Sequence, residues 1–310
     1  MTKTIYITII DYPNSLQSAV QGLKEFFLLT NKITMNNHCD IEFVVNIALV
    51  NSDFTTIEPS DIIIIPPNFD GDYYNSPQPK LLAFLCTAHR SGSILCSACA
   101  GTFILAETGI LDNRAATTHW LLADKFIDKY SKVSLKADSL LINDGDIITA
   151  GGLMSWVDLG LEIVAQYTHP YIMRALGKYL IVDTGNREQR YYRSFTPQLN
   201  HGNEKISHVQ HYIQKHYNSA LNVRLLADLA CMTERTFLRH FTDATRMKPI
   251  EYIQKVRVQK ACELLEQTTQ SFEKITENIG YDDVNSFRKV FFKVTGLSPS
   301  AFKSRFVRNL

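Results

Sequence analysis

The apolar positions of this chain follow two regimes. Over residues 1–183, apolar runs without alternation are separated by stretches of helical spacing. Thr4–Ile10 (TIYITII), Ile41–Val50, Asp61–Pro66 (DIIIIP) and Ser93–Cys96 read as strands buried on both faces. Leu16–Leu29, Pro79–Arg90, Ala100–Thr108 and Ser155–Tyr167 carry the 3.6-residue period of helices. Gly109 stops the third of these, and Ser155 is placed to N-cap the fourth. Asn143-Asp144-Gly145, between Leu140–Ile142 and Ile147–Thr149, signals a hairpin turn. Unalternated strands interleaved with helices predict an α/β fold: a doubly wound, mainly parallel sheet of flavodoxin-like type, covered on both faces.

The second regime is all helix. Predicted helices cover Ile206–His216, Val223–Ala230, Thr233–Thr245, Pro249–Glu266, Ser271–Ile279, Val284–Val294 and Pro299–Phe306. Thr233 is placed as an N-cap, Pro249 at a first helical position and Gly280 at a C-terminal stop. Between the regimes, Thr184–Asn203 is polar, lacks an apolar stripe and contains Gly185, Pro197 and Gly202. The predicted organisation is a domain over 1–183, a connecting arm over 184–204 and an all-α domain over 205–310.

The all-α part repeats itself. Phe237, Phe241, Thr245, Pro249 and Tyr252 recur fifty residues later as Phe287, Phe291, Thr295, Pro299 and Phe302. Leu226 and Cys231 match Ile275 and Gly280 one residue out of that register. Two amphipathic helices could share such spacing by chance. Five positions of matching chemistry, one of them a proline, favour two copies of a helix-turn-helix unit.

Charge sharpens this division. The formal net charge of +1 is the sum of unlike parts. Residues 1–204 hold 15 Lys and Arg against 21 Asp and Glu, whereas residues 205–310 hold 17 against 10. A basic all-α domain beside an acidic α/β domain suggests that only the former meets a polyanion. Such a unit reads double-stranded DNA by laying its second helix in the major groove. In the first copy Phe237 and Phe241 face inward and leave Arg235, Leu238 and Arg239 outside. In the second, Phe287 and Phe291 face inward and leave Asn285, Arg288 and Lys289 available. Arg and Asn have the donor geometry for guanine and adenine. Arg257, Lys260, Lys274, Lys293, Lys303 and Arg305 are assigned to phosphates. The helix between the copies, about 27 Å at 1.5 Å per residue, suits recognition helices about one DNA turn, ~34 Å, apart. Solvation of a helical surface is the better account of any single arginine, but not of the whole constellation.

The six cysteines, Cys39, Cys86, Cys96, Cys99, Cys231 and Cys262, form no regular framework and read as reduced thiols. No signal segment or membrane span is evident, so a cytoplasmic protein is predicted. In SGSILCSACAGTFILAETGIL, Cys99 falls at a strand-to-helix turn, where the helix dipole is expected to lower the thiol pKa. His119 follows in TTHW, which makes Cys99 and His119 a candidate nucleophile pair, although a buried Cys and a His beside Trp are more often structural.

Two resemblances complete the reading. LADLACMTERTFLRHF, PIEYIQKVRVQKACELL and ITENIGYDDVNSFRKVFFKVTGLSPSAFKSRF resemble the AraC/XylS-type DNA-binding domain. The resemblance implies base-reading positions at Arg235, Leu238 and Arg239, and at Val284, Asn285, Arg288 and Lys289. Cys231 departs from a common Gly and Thr276 from a common Ala. DIIIIPP, ILCSACAGTFILAETGILDNRAATTHW and GDIITAGGLMSWVDLGLEIV resemble ThiJ/PfpI-type domains of the class I glutamine amidotransferase-like superfamily. Cys99 matches their elbow nucleophile and His119 its partner. Where the enzymes usually carry Gly-Gly after the DIIII-type strand, this chain has Pro66-Pro67-Asn68-Phe69, and proline has no N–H for an oxyanion. Ala19 stands where regulator members often have Asp.

The combination resembles the GlxA-type transcriptional regulators. It implies a regulator, more an activator than a repressor, whose N-terminal domain dimerises and binds a small-molecule effector near Cys99, His119, Asn68 and Phe69. Neither a metal nor a cofactor is implied, and no catalytic residue is assigned. The competing reading is a cysteine-dependent hydrolase or glyoxalase-like enzyme with a DNA-binding appendage. A thiol redox sensor using Cys99 or Cys96 is a third.

Overall fold

A computed structural model describes residues 2–185 and 187–307. Asn186, inside the predicted arm, lies outside the described residues. The chain divides into two compact units, Met1–Gln189 and Arg190–Leu310.

The first unit runs β1 (Lys3–Asp11), α1 (Gln17–Asn36), β2 (Ile41–Leu49), β3 (Ile62–Ile65), α2 (Pro79–Arg90), β4 (Ile94–Ala98) and α3 (Gly101–Glu107). It continues β5 (Ala115–Ala116), α4 (Ala123–Lys129), β6 (Ser134–Leu135), β7 (Leu141–Asn143), β8 (Ile147–Ala150), α5 (Trp156–Tyr167) and α6 (Pro170–Leu180). Six strands form one sheet in the order β2-β1-β3-β4-β8-β7. All neighbours are parallel except the β7–β8 hairpin at the Asn143-Asp144-Gly145 turn. The short β5 and β6 pair separately.

The four isoleucines of β3 explain why its run does not alternate. Ile62 and Ile64 join a core with Leu23, Phe27, Leu159 and Ile172 from α1, α5 and α6. Ile63 and Ile65 join the opposite core with Leu81, Phe103 and Phe126 from α2, α3 and α4. Successive side chains leave opposite faces of a strand, so a strand sandwiched by helices is apolar throughout. The doubly wound sheet is therefore as the pattern predicts. Ser155 differs from expectation. Its backbone is already helical and its Oγ donates to Gly152 O at 2.5 Å, so it caps no α5 amide.

The second unit comprises α7 (Glu204–Lys215), α8 (Val223–Leu229), α9 (Glu234–Thr245), α10 (Pro249–Gln267), α11 (Phe272–Asn278), α12 (Val284–Thr295) and α13 (Pro299–Phe306). Two small cores share α10. Tyr252, Ile253 and Val256 pack with Phe237 and Phe241, whereas Val258, Ala261 and Leu265 pack with Phe287, Phe291 and Phe302. Side-chain caps hold the N-termini of α7, α8, α9, α11, α12 and α13. Among the described residues, none of the six α-helices α1–α6 of the first unit has one. Helices laid on a sheet are fixed by burial, while short helices around a small core need their end amides satisfied locally.

Candidate nucleic-acid interface and elbow site

The internal repeat reaches hydrogen-bond detail. Thr245 Oγ1 lies 2.7 Å from Phe241 O and 3.1 Å from Met247 O, and Met247 N–H reaches it at 3.3 Å. Thr295 makes the same three contacts with Phe291 O, Leu297 O and Leu297 N–H, at 2.8, 3.1 and 3.2 Å. Each threonine closes its recognition helix and starts the next segment. Thr233 caps α9 through the amide of Thr236, and Asp283 caps α12 through Asn285 and Ser286. The Ser286 hydroxyl, together with these helix amides, holds the Asp283 carboxyl below the usual range.

With Phe237, Phe241, Phe287 and Phe291 fully buried, α9 and α12 turn their opposite faces outward. Arg235 and Arg239 are exposed, and Leu238 between them is 38% exposed. On α12, Val284 is half-buried while Asn285, Arg288 and Lys289 are exposed. The two faces differ in commitment. Among the described residues, neither Arg235 nor Arg239 has a hydrogen bond or ion pair. Arg288 donates to Asn285 Oδ1 at 3.1 Å, sits 3.8 Å from Glu273 and lies over the Phe272 ring at 5.7 Å.

Arg257 donates to Tyr217 O at 2.7 Å and Ser219 O at 2.8 Å, and stacks over Tyr281 at 5.0 Å. Two of its five N–H donors thus tie α10 to the segment around Tyr217 and Ser219. Lys260 and Lys274 are paired with Glu263 and Glu277 one helical turn away.

In the first unit, Cys99 follows β4 with a left-handed backbone, φ +55°. Its N–H donates to Ala150 O at 2.8 Å and its carbonyl accepts the Thr118 hydroxyl at 2.7 Å. The elbow exists, but the thiol departs from expectation. Burial pushes its pKa up to about 12, outweighing the Ala100 amide that pulls it down. A seven-residue helix beneath a buried sulfur does not offset the lost solvation. Cys96 and Cys99 also stand at a C-x-x-C spacing, which a search for a regular cysteine framework passes over. They occupy opposite cores of the sheet, and no disulfide joins them.

His119 is half-buried, and that burial lowers its pKa. Its Nδ1 accepts the Leu121 N–H at 3.1 Å, so the neutral ring carries its proton on Nε2. Thr118, the neighbour of His119 in the chain, is bonded to the Cys99 carbonyl. Asn68 and Phe69 lie just after β3, beyond Pro66 and Pro67. Their loop pairs with the loop after β1: Phe69 N–H donates to Asn14 O, Leu16 N–H to Pro67 O, and Asn68 bridges Ser15. Asn68 is buried and Phe69 is 72% exposed. Tyr12 adds a further tie to this loop by donating to Pro66 O at 2.7 Å. Burial and the adjacent Cys99 thiol raise its own pKa.

Sequence reasoning missed a buried polar network beneath this elbow. Thr102 joins Ser97 and Thr117 O, Thr149 receives the Thr117 N–H, and Thr118 reaches Cys99. All five hydroxyl residues are fully buried. Gln189, from the predicted arm, is 2% exposed and inserts into the same network. Only the run of non-charged residues in AATTH gave a signal for any of it.

Among the described residues, no helix is long and apolar enough to cross a membrane, and no cluster of three or more His, Cys, Asp or Glu could hold a metal.

Residues 24–166 match the DJ-1/PfpI family model, and residues 226–305 match a helix-turn-helix domain model. The chain is 26% identical over 254 residues to the HTH-type transcriptional regulator CdhR of Pseudomonas aeruginosa, covering 81% of this chain and 75% of that one. It is 26% identical over 224 residues to the regulator ArgR of the same organism, covering 71% and 67%. A solved protein of Vibrio parahaemolyticus shares the fold at a TM-score of 0.51 and 18% identity, over 57% of this chain and 100% of that one.

Proposed function

This chain joins a DJ-1/PfpI domain to an AraC-type helix-turn-helix domain, and from that premise we propose that it is a DNA-binding transcriptional regulator controlled by a small molecule. The observation that carries the regulator reading is the duplicated unit. Two recognition helices share caps and closures, and both present polar residues outward on a basic domain. Arg235, Leu238 and Arg239 read bases from α9, and Val284, Asn285, Arg288 and Lys289 from α12. The reading includes a homodimer formed through the first domain, activation of transcription, and a cytoplasmic location.

The effector site is the elbow around Cys99 and His119. At neutral pH the thiol keeps its proton and the imidazole is uncharged. The site therefore offers neutral S–H and Nε2–H donors to an effector with acceptor groups. Binding without turnover follows from this chemistry. A thiol protonated to about pH 12 is a poor nucleophile. Pro66 and Pro67 have no N–H, and the Phe69 N–H is already given to Asn14. The left-handed elbow at Cys99 supports one competing reading, a cysteine-dependent hydrolase, but those two features weigh against it.

Selection of duplexes from random DNA by the full chain tests the regulator reading. The expected product is an enriched sequence with two contacted segments about one turn, ~34 Å, apart. Absence of any enriched sequence removes the reading. Turnover of an aldehyde or amide by the full chain, lost in Cys99→Ser, would establish the hydrolase instead.

A further inference from the structure

We propose that Gln189 is a latch that links occupancy of the elbow site to the DNA-binding unit; this rests on the sensor reading above. Gln189 is the last residue of the first unit. Its carboxamide oxygen accepts the Trp120 N–H at 3.1 Å. Its Nε2 lies at 2.9 Å from both Thr118 O and Ser139 O, and at 3.1 Å from Thr117 Oγ1. Its backbone N–H donates to Asp138 O at 2.9 Å, and Glu188 pairs with Ser139 in an antiparallel bridge.

The seat is shaped for this side chain. A Cβ on Gly151 would fall 1.9 Å from Gln189 Nε2, so the glycine leaves the space that the carboxamide fills. A polar side chain from a polar segment gains nothing by entering a protein interior unless its bonds are completed there. Here they are completed by the residues that carry the elbow. Trp120 follows His119, and Thr118 bonds the Cys99 carbonyl.

The chain passes from Gln189 directly into residues packed within the second unit. A Cβ on Gly296 would fall 2.4 Å from Arg190 Nε and 2.8 Å from Tyr191 Cε1. An effector held against His119 presses on the turn whose Trp120 amide Gln189 holds. Seating or unseating Gln189 then shifts the first residues of the second unit. Linkage is reciprocal, so unseating Gln189 by mutation must loosen the His119 turn in return.

The test uses the full chain with Gln189→Ala, Gln189→Glu, Gly151→Ala and His119→Ala. Gln189→Glu keeps the shape but cannot donate, and Gly151→Ala evicts the carboxamide without altering it. Hydrogen exchange is followed over residues 117–122 and 187–193. Affinity is measured for a duplex selected from random DNA. We expect Gln189→Glu and Gly151→Ala each to raise exchange at least tenfold in both segments, and His119→Ala to raise it over 187–193. We expect both latch variants to change duplex affinity at least threefold in the same direction. Faster exchange confined to 187–193, with 117–122 and DNA affinity unaltered, would make Gln189 a structural tether and overturn the latch. If Gln189→Ala fails to fold, the other two latch variants carry the test. If the unaltered chain binds no selected duplex, the regulator reading fails, and the reciprocal exchange alone decides the latch.

Discussion

The two helix-turn-helix copies are alike inside and unlike outside. Their buried phenylalanines correspond residue for residue, and their threonine closures bond for bond. Their turns and recognition faces do not. The first copy turns through Cys231 at φ +51°, the second through Gly280 at φ +80°. The first presents Arg235 and Arg239 without partners among the described residues, while the second ties Arg288 to Asn285, Glu273 and Phe272. Duplication preserved what a small core requires and released what faces a partner. The copies should therefore respond equally to changes in the closures, and unequally to changes in the turn and the reading face.

The turn offers the largest break. A Cβ on Gly280 would meet Asn218 O at 2.2 Å, a backbone atom that cannot swing away. Left-handed strain of ~1–2 kcal/mol adds to an overpacking cost of ~1–3 kcal/mol. Gly280→Ala is expected to destabilise the chain by about 3 kcal/mol in denaturant unfolding. Cys231→Ala, at the matching position, should change stability by less than ~0.5 kcal/mol, because it alters an exposed side chain and keeps the backbone. Equal losses at the two positions would mean that the turns are equivalent after all.

The reading faces come next. Arg239→Ala should weaken binding to a selected duplex by ~1–3 kcal/mol and relax one base position. Arg288 must release its intramolecular partners before it can donate to a base, so Arg288→Ala should cost less, below ~1 kcal/mol. A larger loss at Arg288 than at Arg239, read from salt-matched binding curves, would reverse the order.

The closures are smaller and should be symmetric. Thr245→Val strands the Met247 N–H, and Thr295→Val strands the Leu297 N–H. A buried donor left unpaired costs ~1–3 kcal/mol. Each variant should lose between about 1 and 2 kcal/mol, and the two losses should agree within ~0.5 kcal/mol as sites in separate cores. Unequal losses would show that the two copies do not share one design.

Most of the architecture was legible because burial is periodic. Pro79–Arg90 needed only its proline and its stripe, and the isoleucines of β3 announced a strand covered on both faces. Short elements without a stripe escaped, such as α4 and the two-residue strands β5 and β6. The α6 helix escaped as well, because Pro170 follows closely on the end of α5 and its segment ran into the polar stretch. The site was less legible. A cysteine at a strand end is visible, but its desolvation is set by residues far away in sequence, so the expected pKa had the wrong sign. Gln189 and the buried threonines look like solvent-facing polar residues until the topology brings 117–118, 139, 149 and 189 together. The backbone carbonyls that Arg257 binds were hidden for the same reason. A charge in sequence has no direction until its neighbours are placed.

The smallest effect tests the same comparison in the stabilising direction. Cys231 holds a left-handed backbone on an exposed turn, a conformation that costs a side-chain-bearing residue ~1–2 kcal/mol. Glycine removes that strain but gives back ~0.5–1 kcal/mol in unfolded-chain entropy. Cys231→Gly should thus stabilise the second unit by about 0.5 kcal/mol, seen as a higher denaturant midpoint with an unchanged slope. The side chain is exposed, so no packing is lost to oppose the gain. DNA affinity should not move, because the turn lies outside the reading face formed by Arg235, Leu238 and Arg239. A stability loss would mean that the thiol makes a contact that its exposure denies. An affinity change would mean that the first turn sets the pose of α9, and the divergence between Cys231 and Gly280 would then belong to recognition instead of folding.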